Sequence, residues 1–259
     1  MTDPITLEII HNGLRSITDE SFIALMKSAY STNIKERRDH SCAVIDLRGR
    51  LIAQAENSLP IHLASMWGLM TAVLAKVKVS DMSEGDIFVA NDPHVAGGTH
   101  LPDLNMAMPV FVDGKVMAFV CNIAHHADMG GMAPGSMAGG MREIYQEGLR
   151  IPVVRLFRKG EIVQDIFDLL LLNVRVPEER KGDYFAQVAS CRLGERRLKE
   201  MAQRYGSDVL TMAFEEIVSR TRQRMERAIG AIPEGTYRFA DRMDDDGLGT
   251  VSYTHLTLP

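Results

Sequence analysis

Residues 106–112 (MAMPVFV) and 116–124 (VMAFVCNIA) are apolar runs joined through Asp113-Gly114. No short-range signal for a β-hairpin is stronger, because the tight turn needs positive φ at both central positions and Asp-Gly tolerates it. A hairpin carries its far end back to its start. The flanking segments NDPHVAGGTHLPD (91–103) and HHADMGG (125–131) are therefore expected to meet. Upstream, residues 86–90 (DIFVA) read as a short strand ending at Asn91.

What meets there is chemically biased. Four of the eight histidines, His94, His100, His125 and His126, lie within 33 residues, beside Asp92, Asp103 and Asp128. Imidazole and carboxylate are borderline-to-hard donors that suit zinc, manganese or iron rather than soft thiolate chemistry. Pro93, Gly97, Gly98 and Pro102 exclude regular structure from the first segment, so His100 and Asp103 can point inward from a single turn. Hairpin pairing sets His125 beside Asp103, although 22 residues separate them. The expected site is a divalent metal (Mn, Zn or Fe) between two loops, held by two histidines and a carboxylate: His100, Asp103 and His125. Such a site keeps positions open for water or a substrate oxygen. His94, His126 and Asp128 are the expected catalytic groups, orienting ligands or carrying protons. Singly, each of these residues is equally explained as a loop histidine or a capping aspartate; their clustering about one hairpin is what favours a site. Gly97-Gly98 and Gly130-Gly131 allow close backbone approach to a ligand, or serve as turn glycines.

The rest of the chain bounds the function. A length of 259 residues can bury a substantial core. The net charge of −5 argues against a nucleic-acid or anionic-membrane surface. No apolar run approaches the ~18 residues that a spanning helix needs. The start, MTDPITLEII, lacks the basic and apolar regions of a signal peptide. Cys42, Cys121 and Cys191 are odd in number, widely spaced and never CxxC. A reduced, cytoplasmic protein with no nucleic-acid or membrane partner fits these facts. Asp3-Pro4 reads as a helix N-cap followed by proline at the first helical position. The last residues, VSYTHLTLP, break off after an acidic turn at 244–247. One domain is therefore expected over residues 1–250, with 251–259 a truncated or non-native tail and His255 outside any site.

Coarse periodicity fills in the remainder. Residues 4–35 read as one long or two consecutive amphipathic helices, and 42–46 with 51–55 as strands turning at Arg48-Gly49. Glu36, Arg37, Asp39 and His40 crowd the entry to that hairpin, as a solvated charge cluster or a substrate-facing rim. Residues 62–77 form an apolar helix whose His62 could aim at a ligand but reads more readily as a capped structural histidine. A long loop at 133–152 is expected to be functional, its exit residues Glu143, Gln146, Glu147 and Arg150 meeting a polar substrate or one another. A strand at 153–158, helices at 165–172, 183–205 and 207–229, and a strand from 235 follow. The arginines at 220, 222, 224 and 227 suit a solvated helix face. Mixed hairpins and long amphipathic helices make this an α+β chain rather than an alternating parallel one.

Several chemistries are excluded by their missing motifs. There is no GxxxxGK[ST] phosphate loop, no GxGxxG after a strand, no GxSxG elbow and no HExxH. Cys121 precedes His125 by four residues, but a strand would hold both on its own axis, and nothing lowers the thiol pKa.

At these residues the chain resembles the hydantoinase B family, which includes the C-terminal half of 5-oxoprolinase and the α subunit of acetone carboxylases. The resemblance is carried, in order, by RRDHSCAVID, LPIHLASM, NDPHVAGGTHLPD, AHHADMGG with PGSM, EIYQEGLRIP and NVRVPEERKGDYFAQVA, over roughly residues 4 to 247. Ala64 stands where the family often has glycine. The resemblance implies a hydrolase acting on C–N bonds of cyclic amides such as a hydantoin or 5-oxoproline, working as a hetero-oligomer. A hydantoinase A-like partner would handle ATP and Mg, which accounts for the missing phosphate loop. It also implies metal ligands at His100, Asp103 and His125, and a full subunit about twice this length, so the chain alone is expected to be inactive. The alternatives are a ketone carboxylase (ligase) subunit using the same metal, and a non-catalytic assembly subunit with structural histidines.

Overall fold

The computed structural model describes residues 3–245 and 250–253. The chain divides into two compact units, Met1–Val218 and Ser219–Pro259. The first unit opens with α1 (Pro4–Ser28), capped as Asp3-Pro4 indicates by a 2.9 Å hydrogen bond from Thr6 N–H to the Asp3 carboxylate. The short α2 (Thr32–Lys35) follows. Next come β1 (His40–Asp46), β2 (Leu51–Gln54), α3 (Pro60–Lys76), β3 (Ile87–Ala90), β4 (Asp103–Val112) and β5 (Lys115–His125). Then α4 (Ile144–Glu147), β6 (Val154–Arg158), β7 (Glu161–Ile162), α5 (Gln164–Leu172) and α6 (Pro177–Tyr205) lead into α7 (Ser207–Gly230). The second unit takes the end of α7 and a hairpin of β8 (Asp241–Asp245) and β9 (Thr250–Tyr253). Its first strand begins at Asp241, six residues after the expected start. Of the tail at 251–259, residues 251–253 belong to β9, while 254–259, His255 included, lie outside the described residues, as do 246 and 247 of the acidic turn.

Seven strands make one antiparallel sheet in the order β2-β1-β5-β4-β3-β6-β7, so the α+β class holds. The β4–β5 hairpin turns at Asp113 (φ 51°) and Gly114 (φ 72°), the positive pair its sequence calls for. Helices cover both faces, which is why β1, β4 and β5 read as nearly continuous apolar runs. Period-2 alternation sorts their side chains. Val44, Val110, Ala118 and Val120 face α1, α6 and the first turns of α7, while Ala43, Ile45, Ala107, Phe119, Cys121 and Ile123 face α3. Pro109 sits within β4 without breaking the sheet, because β3 pairs only with Asn105, Met106 and Ala107 and has ended before the missing N–H would be needed.

Two boundaries differ from expectation for identifiable reasons. α6 starts at Pro177 rather than 183: proline occupies the first turn with Glu178 and Glu179, a favourable N-terminal pattern. Gly182 interrupts the run of helix formers, but a Cβ there would overlap the Tyr30 ring, so its absence allows α6 to pack. β4 begins three residues before the expected strand and β5 ends one after, which carries Asp103 and His125 into the sheet itself. Among the described residues, no helix is long and apolar enough to cross a membrane.

Candidate metal centre

The hairpin register pairs Asp103 with His125 directly. On the other side of β5, His40 pairs with Ala124, and the His125 N–H donates to the Asp39 carbonyl at 3.0 Å. Three neighbouring strand ends thus present Asp39, His125 and Asp103 side by side. Alternation puts all three on the α3 face, where His62 stands in the first turn of that helix. His100 reaches the group from the loop before β4.

The triad His100, Asp103 and His125 has donor atoms all within 4.8 Å of one another. Asp103 Oδ1 lies 3.1 Å from His100 Nε2 and 3.2 Å from His125 Nδ1. Neither N–H is aligned on it, however, and this buried oxygen has no hydrogen-bond partner. Its sister Oδ2 is anchored by the Thr99 hydroxyl. A tetrahedral zinc with bonds of ~2.0–2.1 Å separates its donors by roughly 3.3 Å. Two imidazoles and an orphaned carboxylate oxygen at these spacings fit a divalent cation. Burial opposes charge on Asp103, but contacts with His100, His125 and Thr99 outweigh it and hold the carboxyl well below its ordinary value. Burial likewise opposes protonation of His100, and Asp103 overrides it to raise that histidine. Asp103 and His125 are buried, whereas the side chains of His100 and Asp39 are each 34% exposed, so the centre opens past those two.

Asp39 and His62 were not singled out as ligating or catalytic from sequence. Asp39 Oδ2 lies 3.6 Å from His125 Nδ1, and its Oδ1 3.5 Å from His62 Nε2. Neighbouring members of the same charged cluster go elsewhere: Glu36 and Arg37 are exposed, and His40 is buried, stacked on Phe22 at 3.9 Å. Only the β1–β5 pairing could have located Asp39, and that contact joins residues some 80 positions apart.

The other nominated residues have different occupations. His94 is exposed, and no described hydrogen bond or ion pair joins its side chain to the triad. His126 follows His125 and so faces the opposite side, where its Nε2 meets Gln187 Oε1 at 2.9 Å and its ring lies 4.7 Å from Tyr184. Gln187 uses its amide N–H groups on Leu104 and Asn122, so Oε1 accepts and His126 donates. Burial lowers His126 to about 4, which keeps it neutral. Asp128 accepts from the N–H groups of Gly130, Gly135 and Arg175 and from the Arg175 guanidinium at 3.0 Å, fastening the 128–136 loop. His126 is thus engaged by Gln187 and Asp128 by Arg175 and the loop amides, and no described hydrogen bond or ion pair joins either side chain to the triad.

The glycine pairs serve the protein's own backbone. A Cβ on Gly97 would strike Gly68 of α3, one on Gly98 the Asn91 carbonyl, and those on Gly130 and Gly131 the carbonyls of Asn173 and Gln146. In the long loop, Glu143 and Gln146 bind one another as a reciprocal capping box, whereas Arg150 pairs with Asp92 outside the loop. All three cysteines are buried and unpaired, and burial pushes the Cys42 thiol up to about 12 and raises Cys121 further. A cavity of about 460 Å³ lined by Asp46, Arg48, Lys115 and Glu215 lies at the turn end of the hairpin. That is the far end of a ten-residue strand, roughly 30 Å from the triad, so the cavity is no part of this centre.

Comparison with known proteins places these features in context. The family model described as Hydantoinase B/oxoprolinase matches residues 3–258. The caprolactamase subunit beta of Pseudomonas jessenii is 34% identical over 254 residues, covering 97% of this chain and 43% of that protein. The 5-oxoprolinase of Dictyostelium discoideum is 35% identical over 210 residues, covering 80% of this chain and 16% of its own length. The crystal structure of the ATP-dependent caprolactamase from Pseudomonas jessenii superposes with a TM-score of 0.88 at 31% identity, over 99% of this chain and 45% of that one. A nucleotide-free acetone carboxylase structure shares the fold, with a TM-score of 0.86 at 21% identity over 92% of this chain and 31% of its own. The chain spans 43% of the caprolactamase subunit and a smaller share of the oxoprolinase.

Proposed function

The chain belongs to the hydantoinase B/oxoprolinase family, and from that premise we propose that it is part of the catalytic subunit of an ATP-dependent cyclic-amide hydrolase. The observation that carries this reading is the orphaned, buried Asp103 Oδ1 between two imidazole nitrogens. His100, Asp103 and His125 would hold a divalent metal (Mn, Zn or Fe), with Asp39 beside them as a further carboxylate. The bound cation would supply Lewis acidity toward a ring carbonyl oxygen and acidify water. Thr99 fixes the rotation of Asp103, leaving Oδ1 for the metal.

The names of relatives supply the rest of the reading. Caprolactamase is ATP-dependent and has a subunit beta, and no phosphate loop occurs in this sequence, so a hydantoinase A-like partner would handle ATP in a hetero-oligomer. The substrate class is a cyclic amide, of the size of a hydantoin, 5-oxoproline or a lactam. Likeness to acetone carboxylase at 21% identity carries the fold alone, which leaves the ligase reading as an outcome of the test.

The test is made on the full-length subunit with its A-type partner. ATP-dependent ring opening of a cyclic amide is expected, together with one tightly held metal per triad by elemental analysis and loss of both in His100→Ala. ATP turnover that instead requires bicarbonate and a ketone would replace the hydrolase by the carboxylase. Full metal content in His100→Ala would remove the site assignment.

A further inference from the structure

His62 is the group that the cluster gains from α3, and its hydrogen bonds determine what it can do. The Leu59 N–H donates to Ser41 Oγ at 2.9 Å, filling one lone pair of that hydroxyl. Ser41 Oγ also lies 3.0 Å from His62 Nδ1, and among the described residues no other acceptor is hydrogen-bonded to the Ser41 proton. A hydroxyl proton buried without an acceptor is costly, so Ser41 donates and Nδ1 accepts. A neutral imidazole that accepts at Nδ1 carries its proton on Nε2.

That N–H stands between two carboxylates. Nε2 is 3.5 Å from Asp39 Oδ1 and 3.7 Å from Asp103 Oδ2. In each carboxylate this is the oxygen turned away from the triad: Asp39 Oδ2 faces His125, and Asp103 Oδ1 faces His100 and His125. The helix that carries His62 is pinned one turn later, where Asn105 of β4 donates to Ser65 at 3.0 Å. A bare Nε2 lone pair at this point would instead face two anionic oxygens.

We propose that His62, fixed by Ser41 as the Nε2–H tautomer, is a positioning residue that holds the outer oxygens of Asp39 and Asp103 so that their inner oxygens face the metal. The inference deepens the metal-centre reading above and rests on it. His62 itself is not a ligand. Groups that orient metal ligands commonly contribute about 10–100-fold to metal affinity.

Two amide replacements separate this role from simple packing. Gln extends its N–H toward the position of Nε2, whereas Asn reaches only to that of Nδ1. Zinc affinity of the purified protein, measured by competition with a chromogenic chelator, is expected to fall by about 10–100-fold in His62→Asn and to stay close to wild type in His62→Gln. Equal affinity in wild type and both variants overturns the positioning role while leaving the metal site intact. A wild type that binds no stoichiometric zinc removes the underlying site instead. Nitrogen-15 NMR of histidine-labelled wild type gives a check independent of any variant's folding: His62 is expected protonated at Nε2, and protonation at Nδ1 overturns the inference.

Discussion

Replacing Asp103 by Asn tests the centre without enlarging or emptying it. Asp103 is 4% exposed and is the only anion among the three triad donors. Asn retains the size and can still meet Thr99, but its neutral oxygen attracts a cation weakly. For the wild type, metal at a hundred times its dissociation constant stabilises the folded state by about 2.7 kcal/mol. In a chain of this size each kcal/mol moves the unfolding midpoint by roughly 2–4 °C, so the expected upward shift is roughly 5–11 °C. The substitution has a separate cost in the metal-free protein, on the order of 1–3 kcal/mol, because Thr99 loses a charged acceptor and His100 its neighbouring anion. Thermal unfolding followed by circular dichroism, with and without zinc against an EDTA reference, resolves the two effects. The Asn variant should melt lower and show almost no zinc-dependent shift. His94→Ala, altering an exposed residue outside the triad, should keep the whole shift. An Asn variant whose zinc response matched wild type would refute the assignment of Asp103 as a ligand.

Stability should also fall on acidification between about pH 6.5 and pH 4. His40 and His126 each have a folded value lowered to about 4, chiefly by burial. The unfolded chain takes up their protons near pH 6.5 while the folded chain does not, so ΔG of unfolding rises with pH across this window, by on the order of 3 kcal/mol per histidine over its full width. Urea titrations at pH 4.5, 5.5 and 6.5 check the sign, and a flat or inverted profile would contradict it; His100, raised by Asp103, has the opposite slope, but that slope falls mainly above pH 6.5, outside this window. Gly97→Ala should destabilise by about 1–3 kcal/mol through overpacking, because its Cβ would strike Gly68 and its φ of +68° disfavours any side chain. The same change displaces the loop that carries His100, so zinc affinity should fall with it; unaltered urea midpoint and affinity would show that the loop tolerates the displacement.

Local signals in the sequence reached most of the fold and part of the site. Asp113-Gly114 specified its turn, the turn specified the pairing, and pairing joined Asp103 to His125. His100 came with them through a three-residue spacing. Asp39 and His62 escaped because their positions depend on β1 docking beside β5 and on α3 crossing that face, contacts written in no local pattern. His126 and Asp128 stand apart from the triad for the complementary reason. Residue type and proximity in sequence cannot tell which side of the sheet a side chain takes, or that Arg175, nearly 50 residues later, would engage Asp128. The glycine pairs show the same ambiguity, since close approach to a ligand and close approach to Gly68 or Asn173 demand the same residue.

Consecutive imidazoles on opposite faces have a practical corollary for anyone altering this chain. Inserting one residue between Asp113 and Gly114, a strand's length from the metal ligands, would slip β5 by a single step against β4 wherever the irregularity at Val110 and Phe111 did not absorb it. Ala124 would then stand opposite Asp103, and His125 would turn into the packed interior against α6. The identity of a ligand is thereby governed by the loop farthest from it, and tags or linkers placed in that exposed turn should preserve its two-residue length.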